Sequence, residues 1–427
     1  MATRAWLSGP GRVHDTGCED KRGWVFDMVD QVSTKVAIAC QGGGSQTAFT
    51  AGALSRILRD PGLDRDFELV AISGSSGGAI CGALAWYGLL AGSGAARRGD
   101  VAADLLGDFW RRNSAHDPWD MMVLNPFVVG MHRLVDAGVF PATAPCRGVQ
   151  GQVRARLEGL LNREIRFEDI PELLRAHPRH PTLMCSAVDA VTGEFAVFEE
   201  ACPDPDWRRE GWESRPDVVS VKTVLASAAV PPMMPAVRID KGVGHDPQFG
   251  EYWGAAFAHN PPIRHLVDRD YAMRPDEIWV IQIDPEMDPD VPTAPFDVVA
   301  RQLELSSNVS LAAELHWIRQ INQWIAQGVL PKDAYKPIDV ARIQLSKPLA
   351  GRLDLASSVD RDPAFLRELI ADGDQQAKAF LAERRDLKSE WWEPNLPHRY
   401  HPVVSTTWPA RPWVAGIPGP PLGGGHP

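Results

Sequence analysis

The sequence predicts an α/β fold, and three observations carry that expectation. Two short apolar runs of strand length, residues 35–40 and 67–72, each lead into a glycine-rich turn and then a helical stretch. Further apolar runs recur at 182–188, 194–198 and 277–283, with helical stretches between them. With 427 residues, 44% hydrophobic and 23% charged, the chain can bury one large α/β core with excursions.

The first strand, 35–40, runs straight into Gln41-Gly42-Gly43-Gly44-Ser45 and a helical stretch over 48–58. Glycines at the end of a strand let backbone N–H groups turn toward a ligand with no side chain in the way, and two such groups aimed at one oxygen make an oxyanion hole. The competing readings are a plain tight turn or a phosphate cradle. Against the cradle, the Gly-Lys-Ser/Thr ending of a P-loop is missing, and Thr47 stands where a dinucleotide fingerprint ends in glycine.

The second strand leads into Gly74-Ser75-Ser76-Gly77-Gly78 and a helical segment from Ala79. A nucleophile elbow forces the chain through a sharp strand-to-helix turn, and glycines two before and two after the serine relieve the crowding. Ser76 would then sit at a helix N-terminus, where unpaired N–H groups and the helix dipole favour an alkoxide. Taken alone, the pentapeptide is equally a glycine-rich turn that happens to contain a serine.

Beyond the elbow, 117–145 crowds Trp119, Met121, Met122, Phe127 and other apolar residues into an insert. It reads as a helical cap, whose inner face could line an acyl-chain groove. Residues 182–188 and 194–198 read as strands around a Thr192-Gly193 turn. Residues 219–228 read as a helix ended by Pro231-Pro232, and 277–283 as a core strand. A long helical region over 296–327, a last strand at 342–345 and an amphipathic helix over 362–387 follow. After Trp391-Trp392 the chain is rich in Pro, Gly and His, and disorder is expected there.

Taken in order, these motifs resemble the patatin-like phospholipases, a family of serine acyl hydrolases. The resemblance runs from about Val36 to Pro285 and rests on residues 41–52, the elbow at Ser76, 226–232 and 252–262. It implies a three-layer α/β/α sandwich with a mostly parallel central sheet, and a Ser–Asp dyad with no catalytic histidine, metal or organic cofactor. It makes Ser76 the nucleophile, and gives the oxyanion to the N–H groups of Gly42, Gly43, Gly44 and Gly77. The family's aspartate follows an aromatic pair in an Asp-Gly-Gly or Asp-Gly-Ala turn. Here the pair is Tyr252-Trp253 and the next residue is Gly254. General-base assistance is worth about 10²–10⁴-fold, so this departure bears directly on activity. Asp246 is the candidate substitute base, with His245 and His259 behind it. An Asp before Pro ordinarily starts a turn, Glu251 reads as a solvated carboxylate, and His259 as a loop hydrogen-bonder. Thr47, a second departure, is expected to cap the next helix through its hydroxyl.

A net charge of −11 argues against nucleic acid and against electrostatic docking to anionic membranes, so the expected partner is a neutral or zwitterionic lipid or another acyl ester, with transient membrane-surface contact. Six scattered cysteines form neither a metal site nor a disulfide framework, and Cys40 and Cys81 are expected as reduced core thiols. The N-terminus turns polar too soon for a secretory signal and no apolar run reaches membrane-spanning length, which leads to a cytoplasmic expectation. The expected organisation is an extension over 1–34, the hydrolase domain over 35–285, its helical completion over 286–390 and a tail over 391–427. The function expected is hydrolysis of lipid carboxylic esters. A catalytically impaired homologue that binds an acyl ligand or a protein, and an acyltransferase, are the alternatives.

Overall fold

Strand β1 (Thr34–Cys40) is buried from Val36 onward and lies at the centre of a nine-stranded sheet. The computed structural model describes residues 33–390 except 96, 137–146, 200–212, 217–218, 232, 241–248, 268–273, 287–290 and 294. The expected tail, nearly all of the expected extension, His245 and Asp246 lie outside the described residues.

A 3₁₀ turn (Gly44–Thr47) and helix α1 (Ala48–Leu58) follow β1, and β2 (Phe67–Gly74) returns parallel to it. Helix α2 (Gly77–Ala91) begins directly after the Ser76 turn and is almost wholly buried. Next come α3 (Arg98–Asn113), a π-helical turn (Asp120–Leu124), α4 (Asn125–Asp136), α5 (Arg147–Glu164) and α6 (Ile170–Ala176). Strands β3 (Thr182–Asp189), β4 (Phe195–Glu199) and β5 (Glu213–Pro216) extend the sheet on one side. After α7 (Val221–Ala228), the hairpin β6 (Val237–Asp240) and β7 (Phe249–Gly254) comes back to β3, followed by the short α8 (Arg264–Val267). On the other side lie β8 (Glu277–Gln282) and β9 (Asp339–Gln344), joined by α9 (Pro295–Ala326). The short α10 (Lys347–Ala350) and the long α11 (Pro363–Glu390) close the described chain.

The strand order is β5-β4-β3-β2-β1-β8-β9, with β7 pairing β3 and β6. The pairs β1–β2, β1–β8, β2–β3, β8–β9 and β4–β5 are parallel; β3–β4, β3–β7 and β6–β7 are antiparallel. The fold is therefore mixed α/β with a mostly parallel central sheet, as the sequence leads one to expect, and helices cover both faces. One core cluster gathers residues of α1, α2, α3 and α11 with Phe67, Ile72 and Trp279. A second, on the opposite face, joins Ala37, Ala71, Met184 and Val280 to Leu311, Leu315 and Ile318 of α9. Continuous apolar runs in β1, β2 and β8 are what a strand covered on both faces requires.

One detail of register positions the site. Gly74, the last residue of β2, lies opposite Cys185 of β3, while Gly254, the last of β7, lies opposite Ala187. Where β2 leaves the sheet at the Ser76 turn, β7 takes over the same edge of β3 from the other direction. Residues about 180 positions apart in sequence thus meet head to head. Among the described residues no helix is long and apolar enough to cross a membrane.

Candidate active site

Ser76 has φ +52° and ψ −125°, a conformation that costs a non-glycine residue about 1–3 kcal/mol. Three features of the sequence let the chain make this turn. A Cβ on Gly74 would lie 2.6 Å from the carbonyl carbon of Gly78. A Cβ on Gly78 would press into the Cys40 carbonyl oxygen, and one on Gly77 into the hydroxyl of Thr47. Only hydrogen fits at these three positions, so strand, turn and helix close up with Ser76 at the corner. The Ser76 N–H donates to Ser227 Oγ at 3.0 Å, and Ser227 is fully buried on α7. Ser76 itself is 7% exposed, and no side chain among the described residues hydrogen-bonds its hydroxyl.

The glycine turn lies against it. A Cβ on Gly42 would come within 2.8 Å of Ser76 Cβ. Gly44 has φ +57°, in the region that favours glycine, and its Cα faces the Ser358 carbonyl. The four glycines differ in what their N–H groups do. Gly42 donates to Asn260 Oδ1 at 2.6 Å, and Asn260 Nδ2 returns a longer bond of 3.4 Å to the Gly42 carbonyl. Gly43, Gly44 and Gly77 have no protein acceptor among the described residues. The Gly42 N–H is bonded by a side chain 218 positions away, which sets it apart from the other three.

Thr47 departs from the sequence expectation. Its hydroxyl donates to the Gly44 carbonyl at 2.5 Å and makes no cap to α1. The reason is geometric: the 3₁₀ turn precedes α1 without a break, leaving Thr47 in helical conformation with its side chain directed back into the turn.

Gln41 fastens this turn to its neighbours. Its Oε1 accepts from the Ile283 and Asp284 N–H groups at 2.7 and 2.8 Å, and its Nε2 donates to Ser307 Oγ at 3.0 Å. The Asp284 carboxyl, hydrogen-bonded to Ser307, is pushed up to about 7, chiefly by burial. A strap over 354–361 braces the other side: Gln46 Nε2 donates to the Asp354 carbonyl at 3.1 Å and to Ser357 Oγ at 2.9 Å.

Of the candidate carboxylates and histidines, His259 and Glu251 are among the described residues, and neither is hydrogen-bonded to Ser76. His259 shares a 2.7 Å hydrogen bond between Nδ1 and Glu314 Oε1, and its ring stacks on Phe195 at 4.0 Å. Phe195 and α9 belong to the core face opposite α2, so the imidazole sits across the sheet from the helix that carries Ser76. The His259 carbonyl accepts from Ser75 Oγ at 2.6 Å, which anchors the loop without bringing the ring to Ser76. Glu251 pairs loosely with Arg238 on the β6–β7 hairpin at 3.9 Å. Gly254 does reach the site: its N–H donates to the Ala229 carbonyl at 2.9 Å, and a Cβ there would collide with the Ser227 carbonyl oxygen. The space a side chain at 254 needs is taken by backbone of the same residue that bonds Ser76.

Three contributors went unassigned in the sequence: Asn260, Ser227 and Gln41. Their partners lie 151 to 266 residues away, and nothing in their own neighbourhood signals the contact. Among the described residues no group of three or more His, Cys, Asp or Glu is arranged to hold a metal ion.

A family model described as patatin-like phospholipase matches residues 38–267. No curated protein matches the chain. Three solved structures are similar to it. VipD from Legionella pneumophila is 13% identical with TM-score 0.33, over 82% of this chain and 67% of that one. Human GIVD cytosolic phospholipase A2, in complex with methyl gamma-linolenyl fluorophosphonate, is 14% identical with TM-score 0.35, over 83% and 60%. The ExoU–SpcU heterodimer from the type III secretion system of Pseudomonas aeruginosa is 11% identical with TM-score 0.28, over 84% and 60%. The chain thus spans three-fifths to two-thirds of these longer chains.

Proposed function

The chain belongs to the patatin-like phospholipase family, and from that premise we propose that it hydrolyses carboxylic esters of lipids through a serine acyl-enzyme formed on Ser76. The observation that carries this reading is the left-handed backbone of Ser76 beside three N–H groups with no protein acceptor among the described residues, those of Gly43, Gly44 and Gly77. Ser76 Oγ attacks the acyl carbonyl, its proton passing to a base, and the carbonyl oxygen becomes an oxyanion that accepts hydrogen bonds from these N–H groups. Collapse expels the alcohol, which takes up the proton. Water then attacks the acyl-enzyme, leaving a fatty acid and free Ser76. Asp246 is the proposed base, at a position outside the described residues. The chain has no need of a metal or organic cofactor for these steps. Cytoplasmic location and a zwitterionic or neutral lipid substrate go with the reading.

A second reading, an acyl-binding homologue with weak catalysis, draws on Gly254 and on the absence of any described side chain bonded to Ser76 Oγ. Turnover of a p-nitrophenyl ester separates the two. On the hydrolase reading Ser76→Ala lowers turnover by about 10³-fold or more, and Asp246→Asn lowers it by about 10²-fold. Turnover indifferent to Ser76 removes the hydrolase reading. Negligible turnover that Gly254→Asp raises about a hundredfold, in a variant that still melts cooperatively, makes the binding homologue the better account. An alcohol added to the assay and recovered as its ester would mark the protein as an acyltransferase.

A further inference from the structure

Three stretches of chain present large apolar side chains to solvent around the glycine turn. On the π-helical turn and α4, Trp119 is 67% exposed, Met122 78% and Phe127 62%. α4 packs against α9, whose first turns expose Val299 and Leu303. The loop after β7 adds Phe257, whose carbonyl accepts from Ser306 Oγ of α9 at 2.5 Å. Scattered exposed apolar residues are ordinary, but large aromatic and methionine side chains exposed on elements that pack together mark an interaction surface.

The group is fixed in place and borders the site. Asn125, the first residue of α4, donates from Nδ2 to Asp360 Oδ1 at 2.7 Å and accepts the Arg361 N–H on Oδ1 at 2.8 Å. Arg361 also donates to Asp120 from both terminal nitrogens, one bond measuring 2.8 Å. Two to three residues earlier, the same strap presents Ser358 to Gly44. The apolar rim and the Gly42–Gly44 turn therefore share one support.

Charge selects the occupant. From Trp119 to Val129 the sequence holds one ionisable residue, Asp120, which is 3% exposed and spent on Arg361. On α9, Arg301 and Glu304 lie beside Leu303 and pair with each other at 3.0 Å, so on a chain of net charge −11 this face offers little to an anionic lipid surface and suits a zwitterionic one. We infer that Trp119, Met122 and Phe127, with Val299, Leu303 and Phe257, form a docking face for a zwitterionic lipid surface that seats the Ser76 site on its substrate. The inference rests on the lipid-ester reading of that site. Methionine and aromatic side chains suit such an interface, adapting to disordered acyl chains and the headgroup boundary.

The test is sedimentation of the full chain with sucrose-loaded phosphatidylcholine vesicles at low and high salt. Wild type is expected to partition onto the vesicles with little dependence on salt. The double variant Met122→Asp/Phe127→Asp should bind roughly tenfold more weakly or worse. Val329→Asp, on an apolar residue exposed beyond the far end of α9, should bind as wild type does. Should the double variant misfold, quenching by acyl-chain-brominated phosphatidylcholine replaces it, with part of the quenching expected to vanish in Trp119→Phe. Three results overturn the inference: no wild-type binding, binding confined to anionic vesicles, or a wild-type dimer that the double variant dissociates, which would give the face to a second copy. Vesicle binding that persists while ester turnover is indifferent to Ser76 keeps the docking face and removes the hydrolase reading. Ser76-dependent turnover of a soluble ester without vesicle binding does the reverse.

Discussion

At the residue scale the site is governed by groups that titrate or by groups that occupy space, and Asp284 is the clearest of the first kind. Burial raises its carboxyl from the usual 3.8 to about 7, the Glu304 charge adds to the rise, and the Ser307 hydrogen bond and Arg301 oppose it. Its own N–H and that of Ile283 are held by Gln41, the residue before the glycine turn, so its ionisation occurs directly behind that turn. Because the folded form keeps the proton more tightly than the unfolded chain, the native state is favoured most below about pH 4. That advantage is lost as the pH rises through 7. The urea midpoint of wild type is therefore expected to fall between pH 5 and pH 8, and that of Asp284→Asn to fall less. Superimposable profiles would show that Asp284 is not the group responsible. Gly254 is the clearest of the second kind. The resemblance leads one to expect a carboxylate there, but only the fold shows that the Ser227 carbonyl occupies the space a side chain would need.

At the element scale, the halves that were legible in the sequence are those whose cause is local. β1 and β2 are short runs buried on both faces, α1 and α2 begin directly after glycine turns, and Gly74, Gly77 and Gly78 are required by contacts inside one strand–turn–helix unit. What stayed hidden depends on distant partners: that β7 takes over the edge of β3 where β2 leaves it, and that Asn260 accepts from the Gly42 N–H. The cap is another case. Its apolar residues announce a packed insert, yet Trp119, Met122 and Phe127 face solvent, while the segment is held by polar clasps at Asp120 and Asn125 together with packing of α4 on α9. Arg361→Ala strips buried Asp120 of its main partner, leaving Arg156 at 3.7 Å, so the loss should be about 3 kcal/mol and local. Hydrogen exchange is the suitable measurement. Amides over 117–136 should exchange faster by one to two orders of magnitude, while those of α2 keep their protection. Equal acceleration in both would mean that the clasp supports the whole fold rather than the cap.

At the scale of the whole molecule, the stretch matched by the family model ends at residue 267, yet the sheet does not end there. β8 pairs with β1 at the centre of the sheet, β9 extends it, and α11 lies along α1. Two glycines allow that close approach: a Cβ on Gly52 would strike the Ile370 carbonyl, and one on Gly373 the carbonyl of Phe49. Near its end, α11 contributes Arg384, 9% exposed, which forms two hydrogen bonds to Glu277 at 2.7 and 3.0 Å and lies over the rings of Trp279 and Phe67. Glu277 opens β8, so this pair fastens the last described helix to the strand beside β1, at the end of the sheet away from Ser76. Removing one member of a buried, hydrogen-bonded ion pair leaves the other charge in a poorly solvated place, at a cost of about 3–5 kcal/mol. Arg384→Ala should therefore lower the urea midpoint of the whole chain, seen in the fluorescence of buried tryptophans such as Trp279, and should leave ester turnover by the folded fraction within about twofold. Arg384→Met keeps the packing over Trp279 and Phe67 but not the charge, so a midpoint as low as that of the alanine variant would assign the loss to the ion pair. Recovery by methionine would assign it to the stacked side chain, and an unchanged midpoint in both would show that α11 is held by its seam with α1 alone.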